Sequence, residues 1–218
     1  MGWRTISRMR STSPIDIHSK QARLAMNVRS LLKAIRTSML KARGQSDYST
    51  WGSLDHIKEN WEARTEAMSA LVLPETRILE IGAGHRMLEK HLPPGCHYTP
   101  SDISDRGEGT IICDLNSEPL PTFDNFEVAF LAGVLEYIHN VDRLVKHLAV
   151  YFPTVVTSYC VTDVASRSSR IKRRRHRWVN DYSQAELISL FARHGYRVDR
   201  QEWWREQVLF RFVLDSKV

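Results

Sequence analysis

Short apolar runs rich in β-branched residues alternate along the chain with stretches whose apolar positions recur at helical spacing, which predicts an α/β domain. The first run, Ile78, Leu79 and Ile81 inside RILEIGAGHR (residues 77–86), reads as a buried parallel strand. Gly82 and Gly84 follow it, and then a helix-compatible stretch from Met87 to His91. Further strands are expected at His97–Pro100, Thr110–Cys113, Phe126–Leu131 and the β-branched Thr154–Tyr159. Between the last two, Val141–Tyr151 reads as a helix with Leu144, Val145, Leu148 and Ala149 inward, stopped by Pro153. Ser183 and Glu186 form a capping-box pattern for a helix through Leu187, Leu190 and Phe191 to His194, with Gly195 as its stop. Strands Tyr196–Trp203 and Gln207–Leu214 then make a closing hairpin.

Ahead of this alternation lies a different pattern. Pro14–Ala42 reads as a helix with Leu24, Val28, Leu31, Leu32, Ile35 and Leu40 at helical spacing and Gly44 as its stop. Lys20, Arg23, Arg29, Lys33, Arg36 and Lys41 fall between them. Such a basic amphipathic helix lies on a membrane, binds an acidic polymer or packs on its own domain, and the last is preferred here. Residues 45–53 read as a loop, and Ser53 caps a second helix running through Trp61 and Met68 to about Leu71, closed by Pro74. Two parts result: a tail and helical cap or lid over residues 1–72, and a ligand-binding domain over 73–218. The links 104–109 and 116–125 are too short for crossover helices, leaving one face of a sheet edge bare for the N-terminal helices to cover.

The length of 218 residues and hydrophobic fraction of 42% suit one substantial domain with an appendage. No apolar run approaches the about 20 residues that span a bilayer. The first residues, MGWRTISRMRSTS, lack the apolar core of a secretory signal and read as a flexible tail in preference to a transit peptide. Cys96, Cys113 and Cys160 are widely spaced, which suits a reducing, cytoplasmic setting without disulfides. With no CxxC or HExxH, no metal is expected. The net charge of +6 is concentrated in residues 167–177, RSSRIKRRRHR, with seven Lys or Arg. This segment is expected to be a mobile loop at the carboxyl end of the fifth strand, holding an anionic acceptor such as a phosphorylated or nucleotide-linked sugar, an acidic glycan or, as a lesser alternative, RNA. The plain alternative is a solvated loop with no role.

Glu80, Gly82 and Gly84 resemble the first motif, acidic–x–G–x–G–x–G, of the class I S-adenosylmethionine methyltransferases, with Arg86 in place of the third glycine. Asp102 lies 20 residues beyond Gly82, the distance at which a nucleoside-binding α/β domain places a ribose carboxylate. The resemblance puts Asp114 beside the adenine amino group, with Cys113 and Leu115 flanking the base. Gly133-Val134-Leu135-Glu136-Tyr137 resembles the family's G–V–L–E–H segment, with Tyr137 replacing His. The phrases SYC, WVN and SQAEL are similar to small methyltransferases from bacterial biosynthetic or polysaccharide gene clusters.

The resemblance implies a Rossmann-like, open and mostly parallel seven-stranded sheet ending in an antiparallel hairpin. It implies S-adenosylmethionine as cofactor, S-adenosylhomocysteine as product, and Glu80, Gly82, Ala83, Gly84, Asp102, Ile103, Asp114, Leu115, Gly133 and Val134 as cofactor residues. Candidate catalytic groups are His139, Tyr159 and Asp163, with His139 best placed as general base. Candidate acceptor contacts are Tyr137, Arg173, Arg174, Arg175, His176 and Trp178. The function expected is methyl transfer to a small-molecule or sugar acceptor in a biosynthetic pathway. Alternatives are an RNA methyltransferase using the basic loop, or a non-catalytic member in which Arg86 crowds the cofactor or contacts its carboxylate. Homo-oligomerisation is left open.

Overall fold

The apolar runs pair into one sheet. The computed structural model describes residues 14–166 and 168–215, except for the side chains of 14–26 and 59. Seven strands lie in the order β3-β2-β1-β4-β5-β7-β6. They are β1 (Arg77–Ile81), β2 (His97–Asp102), β3 (Ile111–Ile112), β4 (Val128–Leu131), β5 (Thr154–Tyr159), β6 (Tyr196–Trp204) and β7 (Gln207–Leu214). The first five run parallel, and β7 is antiparallel to both β5 and β6. The order reverses at β1, whose neighbours are β2 and β4, so the carboxyl ends of these strands frame the crevice where open α/β sheets bind ligands.

Both faces of the central strands are buried, as their continuous apolar sequence requires. Leu79, Ile81, Ala129, Leu131 and Val155 pack against Leu144 and Leu148 of α4 (Val141–Tyr151) and Leu187 and Phe191 of α6 (Gln184–Ala192). Ile78, Val128, Phe130 and Val156 pack on the other face against Met68 of α3 (Glu62–Ser69), with Leu71, Val72 and Leu88.

The N-terminal helix α1 spans Pro14–Arg43, and the Gln45 amide closes its end on the Leu40 carbonyl at 3.0 Å. The stretch 45–53, expected as a loop, contains α2 (Tyr48–Trp51), and the expected second helix is broken into 3-10 turns at Leu54–His56 and Glu59–Trp61 and then α3. Ser53 is the expected cap, with an extended backbone and a hydroxyl that accepts from Asp55 N at 3.1 Å, but what it caps is a single 3-10 turn. The stretch after the glycine turn forms only one 3-10 turn, Met87–Lys90, not a helix. The links 104–109 and 116–125 carry no helix, as their length dictates. The N-terminal helices do not cover the β3 edge, where Ile112 is exposed; α1 packs on α5 (Arg170–Arg175) instead. The basic segment is therefore a short helix capped by Ser169, not a mobile loop. Arg167 and the tail before residue 14 lie outside the described residues.

Candidate functional site

The glycine turn is held by β2. The amides of Gly82 and Ala83 both donate to the Ser101 carbonyl, at 2.8 and 3.0 Å. Gly82 has φ +81°, and a Cβ there would meet Val134 Cγ2 at 2.6 Å. The Gly84 amide donates to Asp102 Oδ2 at 2.9 Å. A pocket opens over this turn, and Glu80, Gly82, Ala83, Gly84, Asp102, Ile103, Asp114, Leu115, Gly133, Val134, Tyr137 and His139 all line it. Every cofactor residue expected from sequence is thus brought to one site.

Three carboxylates with different surroundings stand around the pocket. Glu80 is buried and accepts from the Tyr98 hydroxyl at 2.6 Å; burial pushes its pKa up to about 8. Asp102 is also buried and pairs through Oδ1 with Arg106 Nη2 at 2.9 Å. Asp114 accepts from Ser46 Oγ (2.6 Å), Tyr48 OH (2.8 Å), Asn116 N (2.9 Å) and Ser117 Oγ (2.9 Å). Burial acts to raise its pKa, but these donors together outweigh it and hold the carboxyl below its usual range.

Arg64 of α3 forms the facing wall. It is buried, donates from Nη2 to the Ala132 carbonyl at 2.9 Å, and lies over the Trp61 ring with 5.5 Å from Cζ to the centroid. Gly133 has φ +65°, and a Cβ there would collide with Arg64 Nη1. The site therefore requires glycine so that a cation from the N-terminal segment can reach in. Burial lowers the Arg64 pKa, while Glu136 and Glu80 oppose that shift.

Residues 45–64 roof the pocket. The Trp51 ring tilts against Tyr137 with centroids 4.5 Å apart. Arg106 donates to the Trp51 and Gly52 carbonyls while paired with Asp102, tying the roof to β2. His139 Nε2 faces the Gln45 carbonyl at 3.0 Å, and a carbonyl can only accept, so Nε2 carries the proton in the neutral ring. Nδ1 then holds a lone pair; it is buried and has no hydrogen-bond partner. Asn116 orients this corner by accepting from His139 N at 2.8 Å and donating to the Tyr137 carbonyl at 3.1 Å.

The other expected catalytic and acceptor residues lie outside the pocket. Tyr159 is fully buried in the core, where its hydroxyl accepts from Arg173 Nη2 and Tyr182 N and donates to Asn180 Oδ1. Asp163 is exposed and caps α6 by accepting from Gln184 N at 2.7 Å. Arg173 is fully buried: Nε donates to the Asn180 carbonyl (3.0 Å) and Nη1 to the Cys160 carbonyl (2.6 Å), and Asp181 pairs with it at 3.2 Å. Arg174 makes a two-point contact with Asp181 at 3.0 and 2.7 Å. These two cations share the Asp181 carboxylate and are held inside the fold by it, away from solvent. Arg175 and His176 are exposed, and Trp178 is buried beside Arg173 and stacked on His176. Among the described residues of the basic segment, only Arg177 lines the pocket, with its Nε 3.7 Å from Asp47. Arg86 turns away from the pocket toward Glu89 and the Glu108 carbonyl and lies over the Tyr98 ring, so it neither crowds the turn nor reaches into it.

Arg64, Arg106, Asn116, Trp51 and Trp61 line the site without having been singled out, whereas Arg177 does so as part of the segment expected to meet an anion. Arg106 carried one usable signal, its position four residues after Asp102. Arg64 carried none, because a cation beside Trp61 in a helix reads equally well as a solvated face.

A family model described as a methyltransferase domain matches residues 24–201. No curated protein matches the sequence. A putative O-methyltransferase from Nostoc punctiforme superposes with a TM-score of 0.63 at 12% identity, covering 84% of this chain and 68% of its own. The mitomycin 7-O-methyltransferase MmcR gives 0.63 at 14% identity, over 93% and 69%. Human N-acetylserotonin methyltransferase, solved with S-adenosylmethionine, gives 0.60 at 14% identity, over 78% and 58%. At these identities the likeness is one of fold, while the family match spans most of the chain: it belongs to the methyltransferase-domain family, whose class I members use S-adenosylmethionine.

Proposed function

We propose that the protein methylates a hydroxyl of a small-molecule or sugar acceptor that carries an anionic group. S-adenosylmethionine supplies a methyl group on a sulfonium whose positive charge already activates it for in-line transfer. The pocket's chemistry fits this cofactor: Glu80, Asp102 and Asp114 and the apolar Ile81, Cys113, Leu115 and Val134 line it, with the buried Arg64 on the facing wall. Asp102 would hold a ribose hydroxyl, since Gly84, Ser104 and Arg106 fill three of its about four acceptor positions and leave one open. Arg64 would face the cofactor's carboxylate and Glu80 its ammonium. Cys113 and Leu115 would flank the base.

The observation that carries the acceptor reading is His139. Its proton is fixed on Nε2 by the Gln45 carbonyl, which leaves Nδ1 to take the hydroxyl proton. Trp51, Ile57 and Tyr137 would position the acceptor and exclude water. Arg177 would meet its negative group once Asp47 releases it. An RNA acceptor has less support, because the two central arginines of the basic segment are consumed inside the protein.

His139→Ala is expected to lower kcat by about 10²–10⁴-fold with the cofactor Kd unchanged. Asp102→Ala is expected to weaken cofactor binding by about 1–3 kcal/mol. Steady-state kinetics and titration calorimetry read these separately. An unaltered kcat for the histidine variant would remove the general base from the proposal.

A further inference from the structure

Helix α1 is amphipathic in the wrong sense for a helix that only packs on its own domain. At 3.6 residues per turn, Val28, Leu31, Leu32, Ile35 and Met39 share one face. All five are exposed, Leu32 by 58%. The opposite face, with Ala34 at 6% and Thr37 at 4% exposure, is the one turned inward, and Thr37 and Leu40 line the pocket. The chain thus buries the small and polar face and presents the large aliphatic side chains to solvent. Burial normally runs the other way, so this stripe is built for something outside the domain.

Charge decides what that is. From Val28 to Arg43 the helix carries Arg29, Lys33, Arg36, Lys41 and Arg43 and no carboxylate. Helix α5, packed beside it, adds the exposed Arg170, Lys172 and Arg175 and the exposed Ile171. A second copy would oppose one cationic stripe with another, and like charges repel across such a contact. A convex aliphatic ridge beside long cationic side chains suits a soft anionic plane, where the aliphatic residues enter the headgroup boundary and the cations reach the phosphates. Among the described residues no helix is long and apolar enough to cross a membrane, so the contact is peripheral.

The geometry points to α1 as an interfacial helix that docks the enzyme on an anionic lipid bilayer, with its inner face roofing the pocket. The class of surface is a bilayer carrying phosphodiester headgroups. An acceptor drawn from that surface would enter under the same helix.

The test is co-sedimentation of the full chain with vesicles. Binding is expected to equal parts phosphatidylcholine and phosphatidylglycerol, with at least tenfold weaker binding to phosphatidylcholine alone and loss as salt rises. The triple variant Leu31→Ser, Leu32→Ser, Ile35→Ser should lose vesicle binding at least tenfold. None of the three lines the pocket, so cofactor affinity should persist in it and report a folded protein. Equal binding to both vesicle types, no binding by the native chain, or undiminished binding by a folded triple variant would each overturn the proposal. So would a native dimer, seen by sedimentation equilibrium and dissolved by the same substitutions, in a protein that ignores vesicles.

Discussion

Glu80 is the penultimate residue of β1, just before the glycine turn, and its protonation couples the site to the stability of the fold. Burial pushes its pKa up to about 8 from a reference of 4.5, against the opposing hydrogen bond from Tyr98. Between these values the folded state holds a proton that the unfolded chain has lost. Stability must therefore fall as pH rises from 4.5 toward 8, by an amount on the order of a few kcal/mol. Glu80→Gln keeps an acceptor for Tyr98 and removes the titration, so its melting temperature should be flatter across that window. Parallel curves for both proteins would assign the pH dependence elsewhere. Gly82→Val makes a different test. With φ +81° and Val134 Cγ2 in the path of a Cβ, the turn must deform, and cofactor binding should be lost while the protein still melts cooperatively. At this scale the sequence was informative where spacing carries geometry: Gly82, Gly84 and Asp102 are close in the chain or one strand apart. It was silent on Arg64, which reaches the site from a separate helix through the space that Gly133 leaves open.

The roof element explains why Asp114 has more than one role. Sequence likeness places this residue at the adenine, yet its four acceptor positions are filled, two of them by Ser46 and Tyr48 from the roof. A base amino group can reach Asp114 only by displacing one of these donors, and the roof hydroxyls are the two that come from a separate element. Cofactor binding and roof closure thereby compete for one carboxylate, and Arg106 links the roof to Asp102 as well. Ser46→Ala with Tyr48→Phe should raise cofactor affinity by about tenfold, the effect of removing about two net hydrogen bonds from the competing state. Titration calorimetry at one salt concentration checks this, and an unchanged Kd would mean that the roof and the base do not share Asp114. The strands, α4 and α6 were legible because their periods and caps are local. The roof was not, because Ser53, read as the cap of one long helix, instead caps a single 3-10 turn and is followed by three short pieces held by tertiary contacts, while α2 forms in the expected loop.

Across the whole molecule the basic segment acts as a brace as well as a surface. Seven Lys or Arg in eleven residues read as a mobile, self-repelling loop. The fold resolves that repulsion by drawing Arg173 inside, between the Tyr159 and Trp178 rings, and by forking Arg174 onto Asp181. No local pattern distinguishes these two from Lys172 or Arg175, since the partners lie on β5 and on the approach to α6. Arg173 satisfies the carbonyls of Cys160 and Asn180 and the Tyr159 hydroxyl, and so ties the carboxyl end of β5 to α5 and to α1 above it. Arg173→Met should therefore destabilise the protein by about 3–5 kcal/mol, because it strands the buried carbonyls of Cys160 and Asn180 and the Tyr159 hydroxyl at once. Lys172→Ser and Arg175→Ser, which are exposed, should stay within about 0.5 kcal/mol of the parent. Arg177→Ser belongs to a third class: it should leave stability nearly unchanged while raising the acceptor KM and flattening its salt dependence. Denaturant titration of the four variants, with kinetics at two salt concentrations, separates brace from binding group. If Arg173→Met unfolds at the parental midpoint, the brace is wrong. If Arg177→Ser keeps the parental KM, Arg177 is not the cation that meets the anionic acceptor.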